Sequence, residues 1–270
     1  RMSSDGVTRN DVEAGLRDLG LAGGDRVMVH SSLRSFGRVE GGPQTVIDAL
    51  MRVVGPTGTI LMPSFNHGAP FRDDGAGFFD PTVTPTTNGA IPDRFWRTEG
   101  VERSLNPTHA FAAWGRDAGE LVRDHHLGTT MGAGSPLERL WQSGGLVLLL
   151  GVGFRANTFH HVVETVTDAP CLGRRMEAYP VRLPDGTIER LRTWGWRDGT
   201  CPITDETRYE EPLRATGAVR EIRIGEATCT LVPMQACYEV IAGLLARGLP
   251  PYPPCSGCPV RPRRVRWTVA

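Results

Sequence analysis

The sequence predicts a three-layer α/β/α fold with a mixed, mainly parallel central sheet and antiparallel hairpins in its C-terminal third. Three observations carry that prediction. The stretch up to Met62 alternates helix, strand, helix, strand, which favours a parallel sheet covered by helices. Leu146-Val-Leu-Leu-Leu150 is an unbroken apolar run closed by Gly151-Val-Gly153, the signature of a strand buried on both faces. The last third carries two hairpin signals, Pro184-Asp185-Gly186 and Gly225-Glu226, each between β-prone runs.

Taken in order, a first helix is expected over Val12–Leu19, with Thr8 or Asn10 near its cap and Gly20 at its end. Arg26–His30 reads as a buried strand. Pro43 suits a first helical turn, and Val46, Ile47, Leu50, Val53 and Val54 give that helix its apolar face. Gly58–Met62 is the next strand. From Pro63 to Gly89 the periodicity lapses into Gly, Pro, Asp and aromatics, so residues 63–89 are expected to form a long substrate loop. A short helix near Ile91–Arg97, a strand at Ala110–Trp114 and a helix led by Ser135-Pro136 precede the Leu-rich strand, and helix resumes at Asn157. Strands are expected at Tyr179–Leu183, Ile188–Thr193, Val219–Ile224 and Thr228–Val232, followed by a helix over Gln235–Leu245 and a Pro/Arg-rich tail at 250–270. No repeat and no long linker divides the chain, so residues 1–270 are expected to form a single domain.

Composition removes several function classes. The 270 residues carry 30 basic and 30 acidic side chains, a net charge of zero, which is not the footprint of a nucleic-acid or polybasic membrane binder. No apolar run approaches the roughly 20 residues that cross a bilayer, and the opening residues lack a secretory apolar stretch, so a cytoplasmic location is expected. All the basic residues are arginines. Schiff-base chemistry and a phosphate-binding lysine loop are thereby excluded, since both need an ε-amine. The six cysteines, Cys171, Cys201, Cys229, Cys237, Cys255 and Cys258, do not read as a disulfide scaffold in a chain of this size. Cys255-Ser-Gly-Cys258 lies among prolines, the wrong setting for a thioredoxin-like pair, and metal is its better reading.

The richest stretch for chemistry is Gly151-Val-Gly153 through Asn157-Thr158 to His160-His161 and Glu164. A helix opening just past a buried strand places its first turns where open α/β sheets collect ligands. His161 and Glu164 are three apart and share a helix face; His160 and Glu164, four apart, can share it too. A carboxylate beside an imidazole raises its basicity and fixes its tautomer, which suits a general base. Two solvated surface histidines would give the same spacing. His-x-x-Glu is also half a metal site, but the second imidazole of a hydrolytic zinc helix is missing, and Gly151/Gly153 lack the third glycine of a dinucleotide fingerprint. His30-Ser31-Ser32-Leu33, at the first strand's exit, offers hydroxyls and N–H groups to a phosphate or polar cofactor arm; Arg103-Ser104 and Ser135-Pro136 offer similar groups.

These pieces resemble the antibiotic N-acetyltransferase family, the aminoglycoside 3-N-acetyltransferases, over roughly residues 10–260. The matching stretches are Val29–Leu33, Gly58–Pro63, Phe79-Asp80-Pro81, Gly89–Pro92, Arg103-Ser104, Gly134–Leu137 and Leu148–Gly153. Asn157-Thr158 with His161 and Glu164 looks like the family's Asn-Thr-x-x-His-x-x-Glu signature. The resemblance implies acetyl transfer from acetyl-coenzyme A to the 3-amine of a 2-deoxystreptamine aminoglycoside, hence antibiotic resistance, on a family-specific fold distinct from the common acetyltransferase one. It selects His161 over His160 as catalytic, with Glu164 its partner. It places the cofactor along His30, Ser31, Ser32 and Leu33, with Arg103, Ser104 and Ser135, and backbone N–H groups near Ser31-Ser32 are expected to hold the oxyanion. Direct transfer is expected, because no cysteine sits in an activated-nucleophile motif. A different amine in a biosynthetic pathway, or ligand binding without catalysis, are the alternatives.

A polycationic acceptor calls for surplus carboxylate, for which Asp73, Asp74, Asp80 and Glu164 are candidates, with Asn157 beside them; Asp205, Glu206, Glu210 and Glu211 read better as a solvated acidic helix. Phe71, Phe78 and Phe79 are available to pack sugar faces. Many family members carry His where this chain has Asn106, so any role of that imidazole is lost or passes to His109. The Cys255/Cys258 ending resembles the apramycin-acetylating branch, which also has cysteine near Cys201. A structural zinc held by Cys201, Cys255, Cys258 and an unassigned fourth ligand is therefore expected.

Overall fold

The computed structural model describes residues 6–167, 169, 175–195 and 200–258. Helix α1 (Arg9–Leu19) opens on a capping box: the Thr8 hydroxyl accepts from the Asp11 N–H, and the Asp11 carboxylate accepts from the Thr8 N–H at 2.9 Å. Gly20, at φ 100°, closes the helix in the left-handed conformation that a side chain would resist. Strand β1 (Arg26–Ser31), helix α2 (Pro43–Val54) and strand β2 (Thr59–Phe65) complete the alternation expected from the sequence.

Helix α3 (Ala90–Phe95), strands β3 (Glu102–Arg103) and β4 (His109–Gly115), helices α4 (Ala118–Val122) and α5 (Pro136–Gln142) and strand β5 (Leu146–Leu150) follow. Beyond them come α6 (Phe159–Val166), β6 (Arg175–Arg182), β7 (Ile188–Gly195), α7 (Glu210–Ala215), β8 (Arg220–Ile224), β9 (Ala227–Pro233) and α8 (Met234–Arg247).

The central sheet has seven strands in the order β3-β4-β2-β1-β5-β9-β8. Its parallel pairings are β1 with β2 and β1 with β5; every other pairing is antiparallel. Even so, β3, β2, β1, β5 and β8 all run one way, and only β4 and β9 oppose them. Side chains alternate between two cores. Val147 and Leu149 of β5 pack with α4 to α8, whereas Leu148 and Leu150 pack with α1, α2 and α3. Helices thus cover both faces, which is why β5 has no polar side. Strand β1 sits between two parallel neighbours reached in opposite directions, and the crevice beyond its carboxyl end is the natural ligand position.

Two expectations about the sheet change. Strand β2 runs on through Pro63-Ser64-Phe65, paired with Phe111, Ala110 and His109, so the irregular segment starts after Phe65. Pro63 is tolerated because pairing with β1 has already ended at Leu61, and no ladder bond on that side needs its N–H. The two hairpins also part company: β8–β9 extends the central sheet, whereas β6–β7 forms a two-stranded sheet of its own. That small sheet grips the long loop, with the Phe79 N–H donating to the Pro180 carbonyl and the Arg182 N–H to the Phe79 carbonyl. The tail beyond 258 and Cys171 lie outside the described residues.

Candidate active site

The site is built where β5 ends. Gly151 takes φ 68°, and a Cβ there would lie 2.4 Å from the Ser35 Cβ, so only glycine lets the chain turn this close to the β1 exit. The turn then reaches Asn157, which is fully buried. Its carbonyl oxygen accepts from the Phe159 N–H at 3.2 Å, and its amide donates to the Tyr209 hydroxyl at 3.3 Å. Asn157 thus fixes the start of α6 from within; a substrate would have to displace those bonds to reach it. The Thr158 N–H and hydroxyl meet His30 Nε2 at 3.4 and 3.3 Å, tying α6 to β1. Burial pushes the His30 imidazole down to about 3, so at neutral pH it is an uncharged acceptor.

One turn into α6, His161 Nδ1 lies 3.0 Å from Glu164 Oε2. The Glu164 side chain is 0 % exposed and that of His161 is 16 % exposed. An Nδ1–H donated to the carboxylate leaves Nε2 with the lone pair, the tautomer a proton acceptor needs. The other Glu164 oxygen, Oε1, accepts from the Thr204 hydroxyl at 2.5 Å. His160 meets a different carboxylate: its Nε2 lies 3.7 Å from Asp205 Oδ1, and its ring packs edge-on against His161 with centroids 4.2 Å apart.

Thr204, which sequence reasoning passed over, and Asp205 come from one tight turn. The Asp205 and Glu206 N–H groups donate to the Cys201 carbonyl, the Cys201 N–H donates to Asp205 Oδ2 at 2.5 Å, and the Thr204 N–H points at the Cys201 sulfur at 3.4 Å. Asp205 therefore belongs to a folded turn under α6, not to a solvated acidic helix. No signal in the chain links Thr204 to a carboxylate 40 positions away; only the tertiary fold does.

Beside the β1 exit lies a cleft of about 630 Å³ whose walls include Ser31, Ser32, Leu33, Arg34, Thr87 and Asn88. The Ser31 hydroxyl is buried with no protein partner. The Ser32 N–H, however, donates to the Leu150 carbonyl at 2.9 Å, so it is not available to an oxyanion, correcting that expectation at Ser32. Ser35 steadies the exit, its hydroxyl bonding both the Ser32 hydroxyl and the Gly151 carbonyl.

Other residues singled out in the sequence hold structure together. Arg103 donates to the carbonyls of Pro81, Thr84 and Ser64 and lies over the Trp96 ring, clamping the long loop; burial pushes it down to about 9. Ser104 is buried between His125 Nδ1 and the Phe111 N–H, and Ser135 caps α5 through the Glu138 N–H. Asp80 closes a turn onto Thr82 and pairs with Arg182 at 3.4 Å, while Asp73 and Asp74 stand exposed at the loop tip. Phe79 is fully buried and unavailable to a sugar; Phe71 stacks on Tyr179. The Asn106 carbonyl oxygen accepts from the Thr108 and His109 N–H groups, so it shapes a turn. His109 packs against His67 and is pushed down to about 3, first by burial and then by the neighbouring imidazoles of His67, His161 and His125.

The zinc expectation finds no support in the arrangement of the thiols. Cys201, Cys255 and Cys258 are not in disulfides, and among the described residues the one grouping of three metal-ligating side chains is His160, His161 and Asp205, without a cysteine. Cys201 is buried against its own turn.

The sequence profile described as aminoglycoside 3-N-acetyltransferase matches residues 28–246. An aminoglycoside N(3)-acetyltransferase IV from Salmonella sp is 40% identical over 237 residues, covering 86% of this chain and 85% of its own. An aminoglycoside N(3)-acetyltransferase VII from Streptomyces paromomycinus is 38% identical over 192 residues; the match spans 65% of this chain and 66% of that relative, just under two thirds of its length. Among solved structures, AAC-IIIb in binary complex with CoASH superposes with a TM-score of 0.78 at 31% identity, covering 92% of this chain and 100% of that one. A mutant of aminoglycoside acetyltransferase AAC(3)-IVa in complex with gentamicin gives 0.77 at 32% identity, covering 96% of each.

Proposed function

The chain belongs to the aminoglycoside 3-N-acetyltransferase family, and on that premise we propose that it moves the acetyl group of acetyl-coenzyme A onto the 3-amine of a 2-deoxystreptamine aminoglycoside, with His161 as general base. The observation that carries this reading is the 3.0 Å contact from His161 Nδ1 to a Glu164 that is 0 % exposed. An aminoglycoside amine is mostly protonated near neutral pH, and an ammonium has no lone pair for attack. Once the ammonium has given one proton to solvent, the free amine forms its C–N bond to the thioester carbon and its surplus proton passes to His161 Nε2. The tetrahedral intermediate then expels the coenzyme A thiolate, breaking the C–S bond, and the thiolate takes that proton to leave as free thiol. Glu164 stabilises the imidazolium between the two steps.

The cleft at Ser31 and Ser32 supports a place for the pantetheine arm, since an apolar wall at Leu33 meets hydroxyls and the Arg34 cation. Among the carboxylates, Asp73 and Asp74 remain the exposed pair positioned to meet a polycation. Transfer is direct, with both substrates bound.

Free-thiol release tests the reading, using acetyl-coenzyme A with apramycin, gentamicin, kanamycin and a non-aminoglycoside amine. Aminoglycosides should release thiol and the control amine should not. His161→Ala and Glu164→Gln should each lower turnover by roughly 10²–10⁴, with folding intact by circular dichroism. Full turnover in His161→Ala would remove the base, and trapping of acetylated enzyme without acceptor would overturn direct transfer. Replacing Asp73 and Asp74 with Asn should raise the acceptor KM and leave that of acetyl-coenzyme A alone.

A further inference from the structure

We propose that the head of α6 and the Cys201–Asp205 turn together form a binding site for a divalent ion of the zinc class, and that the bound ion silences acetyl transfer. His160, His161 and Asp205 each offer one ligand atom, and the three atoms lie within 4.8 Å of one another. Ligands about 2.1 Å from a tetrahedral ion stand roughly 3.4 Å apart. The His160 Nε2 to Asp205 Oδ1 distance of 3.7 Å is already close to that spacing. His161 and Asp205 are both partly exposed, and a small side-chain rotation completes the set. Two imidazoles and one carboxylate suit Zn²⁺, Co²⁺, Ni²⁺ or Cu²⁺ and are too poor in oxygen for Ca²⁺ or Mg²⁺. Three protein ligands leave a fourth position open to water. Glu164, bonded to His161, and the Cys201 N–H, bonded to Asp205, orient two of the ligands from behind.

The consequence for turnover rests on His161 being the base, whereas the metal site itself does not. A ring nitrogen whose lone pair is held by an ion cannot accept a proton. If the ion takes Nε2 it blocks the amine's proton directly; if it takes Nδ1 it displaces Glu164. Ion and catalysis are mutually exclusive either way.

The test uses the full chain freed of metal by a chelating resin and titrated with Co²⁺, read by visible absorption, and with Zn²⁺, read by calorimetry. One ion per chain is expected, with ligand-field bands of a nitrogen/oxygen site and no thiolate charge-transfer band. His160→Asn and Asp205→Asn should each weaken binding at least tenfold; should one fail to fold, the other carries the measurement. No binding, a thiolate band, or affinity unchanged in the folded variants would overturn the site. Acetyl transfer is then measured with and without Zn²⁺, each variant against itself. Inhibition that loses at least tenfold of its zinc sensitivity in the variants supports the proposal. Loss of turnover in His161→Ala, together with no zinc binding by the unsubstituted chain, sinks the metal site and leaves the base standing. Zinc bound at this site with undiminished turnover sinks the base.

Discussion

Glu164 is a carboxylate with no solvent exposure, held by His161 at one oxygen and by Thr204 at the other. Removing the Thr204 hydroxyl would take a hydrogen bond from a buried carboxylate, a cost of about 1–3 kcal/mol. The penalty should fall on the geometry of the couple rather than on substrate contact. Thr204→Val is expected to lower kcat by roughly tenfold or more while the KM for both substrates changes little; Thr204→Ser should restore most of the rate. Steady-state kinetics of the pair decides the matter, and a wild-type kcat in Thr204→Val would show the hydroxyl to be idle.

At the scale of elements, the site depends on how closely the β5 exit and the β1 exit approach. Gly151 combines a left-handed φ of 68° with a Ser35 contact that leaves no room for a methyl group. Gly151→Ala should therefore push the Leu33–Phe36 turn outward and raise the KM for acetyl-coenzyme A before it affects the acceptor. Thr8→Ala, in the capping box of α1, is the control. It should lower stability by about 0.5–2 kcal/mol and leave both KM values unchanged, since α1 packs on the face of the sheet away from α6. Thermal melts and initial rates on the two variants separate a site effect from a stability effect.

For the whole molecule, His30 and His125 are buried and held near 3, far below the ordinary imidazole value of 6.5. Between those values the unfolded chain binds protons that the folded chain refuses. Stability present above pH 6.5 is accordingly lost as pH falls toward 3, with a slope approaching about 1.4 kcal/mol per pH unit for each group. The urea midpoint should be lower at pH 5 than at pH 7. An unchanged midpoint would mean that these rings take protons without unfolding. Because His30 accepts from Thr158, its protonation would also release the start of α6 from β1, so acid should loosen α6 as the fold weakens.

What the chain alone determined was the periodic part. The apolar run at Leu146–Leu150, the glycines after it, the cap at Thr8 and the turn residues of both hairpins depend on neighbours within a few positions, and each lies where its pattern placed it. The His161–Glu164 spacing is equally local, a matter of helix geometry. The tertiary structure decided everything that hangs on distant partners. It set Asp205 against the His160 ring and Glu164 against the His161 ring. It brought Thr204 to the carboxylate, turned Arg103 and Ser104 from cofactor candidates into braces, and left the Cys201 thiol in a packed turn. The physical reason is range. Local patterns are fixed by backbone torsion and alternating burial, while a buried polar group takes whatever partner the fold brings to it, and no spacing along the chain announces which that will be.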